Sequence, residues 1–379
     1  MDQLKTLLEQ EFPVNEQCLY LNHAAVAPWP ESARRAVVQF AAENVDKGAT
    51  DYPHWLETEN RLRANLAKLI NASVAEVAFV KNTSEALSFV AYGLKWNSGD
   101  VVIISDEEFP SNSIVWESLA EKGVVVKKIS LQGAVPEEGL INAISEGARL
   151  LSISAVQYAS GIRLDLKALG EACRKHDVLF CVDAIQATGA LAFDVDDIQC
   201  DFAMADGHKW LLGPEGLGFF YVRSEHMSTL SLNEYGWHMV AHPGDYYRKE
   251  WDIANDARRF ECGSPNLLAA HALEASTSLL CNIGAVTVEQ EVTERTTYLA
   301  DKLTARGVPL ITPAHSIGQS GIITFATNDI DPAEAWKNLM GEKVICMHRG
   351  GGIRFSPHVH TPYAVIDEAV EIAVRVCGW

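Results

Sequence analysis

Clustered basic residues are missing from this sequence: 31 Lys and Arg stand against 50 Asp and Glu, a formal net charge of -19. That balance argues against nucleic acid or an anionic membrane as partner, because both reward clustered cations. No apolar run approaches the length of a membrane span, and the acidic amphipathic start MDQLKTLLEQEF has no signal-peptide core. No membrane partner is expected, and the cytoplasm is the expected location. The eight cysteines are scattered, with no C-x-x-C pair and no histidine at zinc-finger spacing. They read as reduced thiols, and no metal site is expected. A GxxxxGK[ST] run is absent, and GPEGLG (213–218) precedes a strand-like run where a dinucleotide fingerprint would open a helix. Nucleotide-binding readings lose ground accordingly. There is no internal repeat and no low-complexity linker, so the domains are expected to dock tightly.

What is present alternates. At 379 residues, 48% apolar and 21% charged, the chain is too long for one compact core and suggests two domains. Helical stretches such as ESARRAVVQFAAENV and HWLETENRLRANLAKLI precede short apolar runs, among them VVIIS, LLSISAV, VLFCVDA and FAMAD. Several of these runs lack polar alternation, as parallel strands do when helices cover both faces. Residues 20–263 should therefore form an α/β domain on a mostly parallel sheet. After Pro265 a long helical region from Leu267 to about Arg306 leads to GIITFAT and GGIRFSP, with the helix DPAEAWKNLM between them and AVIDEAVEIAVRV closing the chain. That pattern predicts a smaller α+β domain over 264–379, with the N-terminal helix (1–19) packed against it.

Lys209, in ADGHKWLLGPEG, sits in an apolar, turn-forming segment where an ammonium needs either water or a purpose. It is either a surface lysine snorkelling over Trp210 and Leu211 or an amine nucleophile made reactive by desolvation. Asp183 ends the strand-like run VLFCVDA, at the edge where α/β sheets bind ligands. The two are either a structural ion pair or the acid and amine that a pyridine aldehyde cofactor uses, one protonating the ring nitrogen and the other holding the aldehyde. The segment VAFVKNTSEALSFVAYGL reads strand, turn, helix. Its Asn82, Thr83 and Ser84 are either plain N-caps or a phosphate cradle.

Seven segments, in order, carry a resemblance: YLNHAA, NTSEA, EEFPSN, VDAIQ, GHKWLLGPEGLGFFY, RFECGSPN and GIRFSPH. The chain resembles, over essentially its whole length, fold-type I pyridoxal-phosphate enzymes of the class V aminotransferase group, which includes cysteine desulfurases, selenocysteine lyases and isopenicillin N epimerase-like proteins. The resemblance implies pyridoxal 5'-phosphate held by Lys209, with Asp183 on the pyridine nitrogen and Gln186 on the phenolic oxygen. It implies Thr83, Ser84 and His208 around the phosphate, and Phe109 stacked on the ring. Ser264 would reach the phosphate of a neighbouring subunit, making the active unit a homodimer. Arg354 would receive the α-carboxylate of a small amino acid, with Asn22 and His23 lining the substrate pocket.

The match departs from the family in three places. Phe109 stands where the group often has histidine, Asp206 where many relatives have a phosphate-binding serine, and Tyr158 where desulfurases carry asparagine. An acid at 206 must turn away from the phosphate or pair with a cation such as His208. Cys346 reads as a packed core thiol, which disfavours a persulfide-forming desulfurase. His358 and His360 share one face of a strand and are expected near the substrate channel or capping the small domain. His348 and Arg349 either help choose the substrate side chain or form a surface loop pair. Trp237 and His238 belong to a segment that covers a neighbouring active site or fills a dimer interface. The resulting expectation is an aminotransferase first, with a C–S lyase, desulfurase-like enzyme or epimerase as alternatives and a non-catalytic cofactor-binding protein as a remote one.

Overall fold

The computed structural model describes residues 2–379. The chain begins with α1 (Asp2–Glu11), the short β1 (Leu19–Tyr20) and two long helices, α2 (Glu31–Lys47) and α3 (Tyr52–Leu69). Strands and helices then alternate through β2 (Val77–Val80), α4 (Thr83–Gly93), β3 (Val101–Ser105), α5 (Ser111–Glu117), β4 (Val125–Ile129) and α6 (Glu137–Ser145). The alternation continues through β5 (Leu150–Ser154), α7 (Leu166–Lys175) and β6 (Leu179–Asp183), and ends in β7 (Phe202–Asp206) and β8 (Gly218–Val222). Helices α8 (Leu267–Ile283) and α9 (Ala285–Ala305) lead to β9 (Ile323–Phe325), α10 (Pro332–Gly341), β10 (Val344–Ile345), β11 (Met347–Arg349), β12 (Gly352–Phe355) and α11 (Tyr363–Cys377).

The large sheet has the order β2-β8-β7-β6-β5-β3-β4, with every pair parallel except the two made by β8. Successive residues of one strand feed opposite cores: Phe180 and Val182 join one cluster, Cys181 the other. With both faces buried, the strands show no polar alternation. The parallel strands bring their carboxyl ends to one edge, so Asp183 and Asp206, the last residues of β6 and β7, stand there together.

The small domain is a three-stranded antiparallel sheet, β11-β12-β9, backed by a core that includes Leu299, Phe325, Phe355 and Ile366. Two features differ from the sequence reading. The helical region after Leu267 is broken at Gly284, whose φ of 91° ends α8 and begins α9. The expected boundary at 263/264 precedes α8, yet α8 buries Leu273 and Leu280 in the same cluster as the large sheet. Its buried face, mostly alanine and leucine with Ser276 and Thr277, packs onto α2 and α3, and α9 supplies Leu299 and Leu303 to the small-domain core. The N-terminal segment likewise places Leu8 and Phe12 in that cluster. No described helix is long and apolar enough to cross a membrane.

Candidate active site

The site is built on the turn that follows β7. Leu212 N donates to Lys209 O at 3.0 Å and Gly213 N to Gly207 O at 2.8 Å, closing the chain around the lysine. Leu212 takes φ 61°, a left-handed conformation that a bulky residue rarely adopts. It is held there because its side chain is fully buried. Ala27 N donates to His208 O at 2.8 Å, which ties the segment after YLNHAA to the same turn.

Lys209 is half-buried, its Nζ 5.6 Å from the centroid of the Phe109 ring. Burial lowers its ammonium from the usual lysine range; Asp183 opposes that shift and Arg354 reinforces it. Asp183 is buried and accepts from Ile185 N at 3.0 Å. Burial raises its carboxyl, against the pull of that hydrogen bond and of Lys209. A cation beside it would restore the ionised form. Gln186, also buried, donates from Nε2 to Ala24 O at 3.0 Å and accepts from Trp210 Nε1 at 2.7 Å. One amide hydrogen of its Nε2 remains available.

The start of α4 meets the end of β7. Asn82 caps the helix by accepting from Glu85 N at 2.9 Å, and the Thr83 backbone N–H bonds Asp206. Ser84 is exposed and bonds Ser111 Oγ at 2.9 Å. Three buried polar atoms converge here without partners: Thr83 Oγ1, Asp206 Oδ1 and His208 Nδ1. Buried polar atoms are nearly always paired, so such a group points to a ligand that completes it. Threonine, histidine and helix amides suit a phosphate. Asp206 suits one only as a neutral acid, and burial does push its carboxyl up to about 7.

A cationic His208, one of the two alternatives for Asp206, is not its partner. His208 Nδ1 lies 3.6 Å from Asp206 Oδ2, and burial together with Lys209 pushes the imidazole down to about 4, leaving it neutral.

Across the site, Arg354 on β12 is buried, donates from Nη1 to Tyr158 O at 2.6 Å and leaves Nε without a partner. Burial, then Arg349, push it down to about 9. Phe109 meets Tyr158 edge-on at 5.2 Å between ring centroids. Beneath them Glu108 accepts from Ser105 Oγ, Asn112 Nδ2, the Ser154 N–H and hydroxyl, and Gln157 Nε2. Glu108, within EEFPSN, is a site residue that the motifs leave without a part; its one signal is an acid in the turn between strand and helix.

A family model, aminotransferase class-V, matches residues 19–365. The chain belongs to the class V aminotransferase family. Pyridoxal 5'-phosphate is the cofactor of this class V enzyme, which is of the aminotransferase or lyase kind. It is 31% identical to a probable cysteine desulfurase of Methanothermobacter thermautotrophicus, covering 90% of this chain and 86% of that one. It is 30% identical to an uncharacterized aminotransferase of Bacillus subtilis, YcbU, covering 99% of each. Among solved structures, the cystine C-S lyase C-DES in complex with its product cysteine persulfide superposes with a TM-score of 0.89 at 21% identity, covering 97% of this chain and 99% of that one. That likeness establishes the fold.

The other residues singled out in the sequence lie partly behind this site and partly apart from it. His23 does not line the substrate pocket: it is fully buried, with Nδ1 2.8 Å from Ser356 O and Nε2 2.8 Å from His360 Nε2. Both of its nitrogens are thereby engaged. His358 and His360 are buried beside it, His358 Nε2 bonding Trp210 O at 3.1 Å and His360 stacking on Phe12 at 3.7 Å. The three histidines form a wall behind Trp210. Asn22 is buried at a bridge to Ser356, with Oδ1 unpartnered. Ser264 is exposed and shares a cleft of about 250 Å³ with His238, away from Lys209. Cys346 is buried, and burial pushes its thiol up to about 12.

Proposed function

We propose that this chain is a C–S lyase: it removes the Cα proton of a β-substituted sulfur amino acid and releases the substituent, without a thiol of its own. The observation that carries this reading is the arrangement of groups around Lys209. Lys209 is the one amine at the reacting face, Phe109 opposite it has no proton to give, and Cys346 is a buried thiol pushed up to about 12. The likeness to named desulfurases supports sulfur chemistry.

Bound at Lys209, the cofactor supplies an electron sink for the pair left when the Cα–H bond breaks. Arg354 would hold the α-carboxylate, a planar fork matched to it. Lys209, its ammonium lowered by burial, would take the Cα proton as general base. Asp183 would keep the pyridine nitrogen protonated, and Gln186 would give its remaining N–H to the phenolic oxygen. Thr83, Ser84, His208 and neutral Asp206 would surround the phosphate, while Ser264 would serve the phosphate of a second copy. Phe109 itself has no proton to give, so the Cβ–S bond would break with its electron pair leaving on sulfur as a weakly basic anion. Water then converts the enamine released to pyruvate and ammonium.

Transamination is the second reading, favoured by the likeness to YcbU over 99% of the chain. Product analysis of the holoenzyme separates them. With cystine, the lyase yields pyruvate and leaves the cofactor as pyridoxal phosphate; conversion to pyridoxamine phosphate would overturn it. Borohydride reduction should fix the cofactor on the peptide containing Lys209 and leave no adduct in Lys209→Ala.

A further inference from the structure

Two guanidinium groups, those of Arg349 and Arg354, stand close together at this site, and each disfavours the charge of Lys209. Strands β11 and β12 are joined by Gly350 and Gly351, both with positive φ (58° and 80°), a two-residue turn that fixes the register. Met347 pairs with Arg354 and Arg349 with Gly352. Directly opposed residues share a face, and so do residues two apart along a strand. Arg349 and Arg354 therefore project from the same face as diagonal neighbours, with Cβ atoms roughly 7–8 Å apart, within common reach of one small molecule. His348 points to the other face, where its ring meets Trp336 at 5.1 Å.

This face of the hairpin is pressed against the large domain at the site. Thr324 Oγ1 bonds Ala159 O at 2.6 Å, Arg354 bonds Tyr158 O at 2.6 Å, and a Cβ on Gly350 would lie 3.4 Å from that of Ala159. Among the described residues, neither arginine forms an ion pair. The Arg349 side chain donates only to His348 O, at 3.1 Å. Of the acids lining the adjoining cleft, Glu107 bonds Ser160, Glu108 is held by its own donors, and Asp106 is exposed to solvent. The charge of Arg349 disfavours that of Arg354 and of Lys209. Two like charges held together in a partly buried site call for more negative charge than one carboxylate brings.

We infer that Arg349 is a specificity-determining residue that binds a second anionic group, a carboxylate, at the side-chain end of the substrate, while Arg354 takes the α-carboxylate. This rests on the amino acid reading of the site given above, and it narrows the substrate class to amino acids with an anionic terminus. The far half of cystine carries such a group; cysteine does not.

The test separates binding from reaction. Holoenzyme is titrated with unreactive succinate, which has two carboxylates, and with butyrate, which has one, following the cofactor absorbance. Succinate should bind more tightly by about tenfold or more, Arg349→Gln should erase the preference, and Arg349→Lys should restore part of it. A ratio near one in the wild type, or an equal weakening of both ligands in Arg349→Gln, overturns the inference. Retained cofactor absorbance in Arg349→Gln shows that the variant is folded. The kcat/KM values for cystine and cysteine then check the assignment in turnover: Arg349→Gln should depress cystine more than cysteine, and a uniform loss overturns the assignment. If the anion preference holds while pyridoxamine phosphate accumulates, the lyase reading fails and this one stands.

Discussion

Trp210 Nε1 donates to Gln186 Oε1 at 2.7 Å, and that bond decides which way the Gln186 amide faces. With its oxygen held by the indole, Nε2 has one hydrogen on Ala24 O and one left for the cofactor. Trp210 is fully buried and adjoins Lys209 in sequence. Trp210→Phe should keep the packing but strand the Gln186 oxygen, costing about 1–3 kcal/mol in denaturant unfolding. The cofactor absorption band should shift in the same variant. An unchanged band with unchanged stability would show that the amide is not oriented by the indole.

Asp206 ties cofactor retention to pH. Burial pushes its carboxyl up to about 7, so it is largely neutral below that pH and able to donate a hydrogen bond to phosphate. Above it, a carboxylate faces a phosphate dianion and the two repel. Cofactor loss on dialysis should therefore quicken as pH rises from about 6 to about 8.5, and Asp206→Ser should remove most of that dependence. Equal retention by both proteins across the range would show that Asp206 faces away from the phosphate.

The buried histidines give stability a pH dependence of the other sign. Burial pushes His358 down to about 4, against the pull of its hydrogen bond to Trp210 O, from an unfolded value of 6.5. Below about pH 6.5 the unfolded chain takes up a proton that the folded chain refuses. Stability contributed by this group is thus complete above 6.5 and falls as pH drops toward 4. Asp183 and Asp206, raised by burial, gain stability over the same descent, so the comparison must be with a variant. Relative to His358→Asn, the wild type should lose roughly 1.4 kcal/mol per pH unit in that window, read from denaturant midpoints. Parallel pH curves would mean that His358 does not titrate on unfolding.

Much of the scaffold was legible because its signals are local. Apolar runs without alternation marked the parallel strands, and the acid at the end of one run and the lysine after the next follow from where such strands end. The antiparallel course of β8 has no comparable local mark, whereas Gly284 is itself a local helix-stop signal inside the long helical run. His23 was misplaced because a motif fixes its neighbours in the chain, whereas its ring is claimed by Ser356 and His360, more than three hundred positions away. Glu108 was unassigned for the same reason: its donors come from β3, α5, β5 and the segment after it. Arg349 was weighed together with His348, and only the hairpin register separates them onto opposite faces.

Cys346 offers the sharpest test of whether the enzyme uses a thiol. It is buried in the small-domain core, and burial pushes it up to about 12, so very little thiolate exists near neutrality. A sulfur-accepting cysteine must do the opposite: reach the substrate and ionise readily. Cys346→Ala should therefore cost stability, about 1–2 kcal/mol for a small buried side chain, while keeping pyruvate release from cystine within about threefold of the wild type at a temperature where both are folded. Iodoacetamide should leave native holoenzyme active. Loss of sulfur release in Cys346→Ala with retained fold, or its block by the alkylating agent, would instead place a thiol in the reaction and return the chain to the persulfide-forming desulfurases.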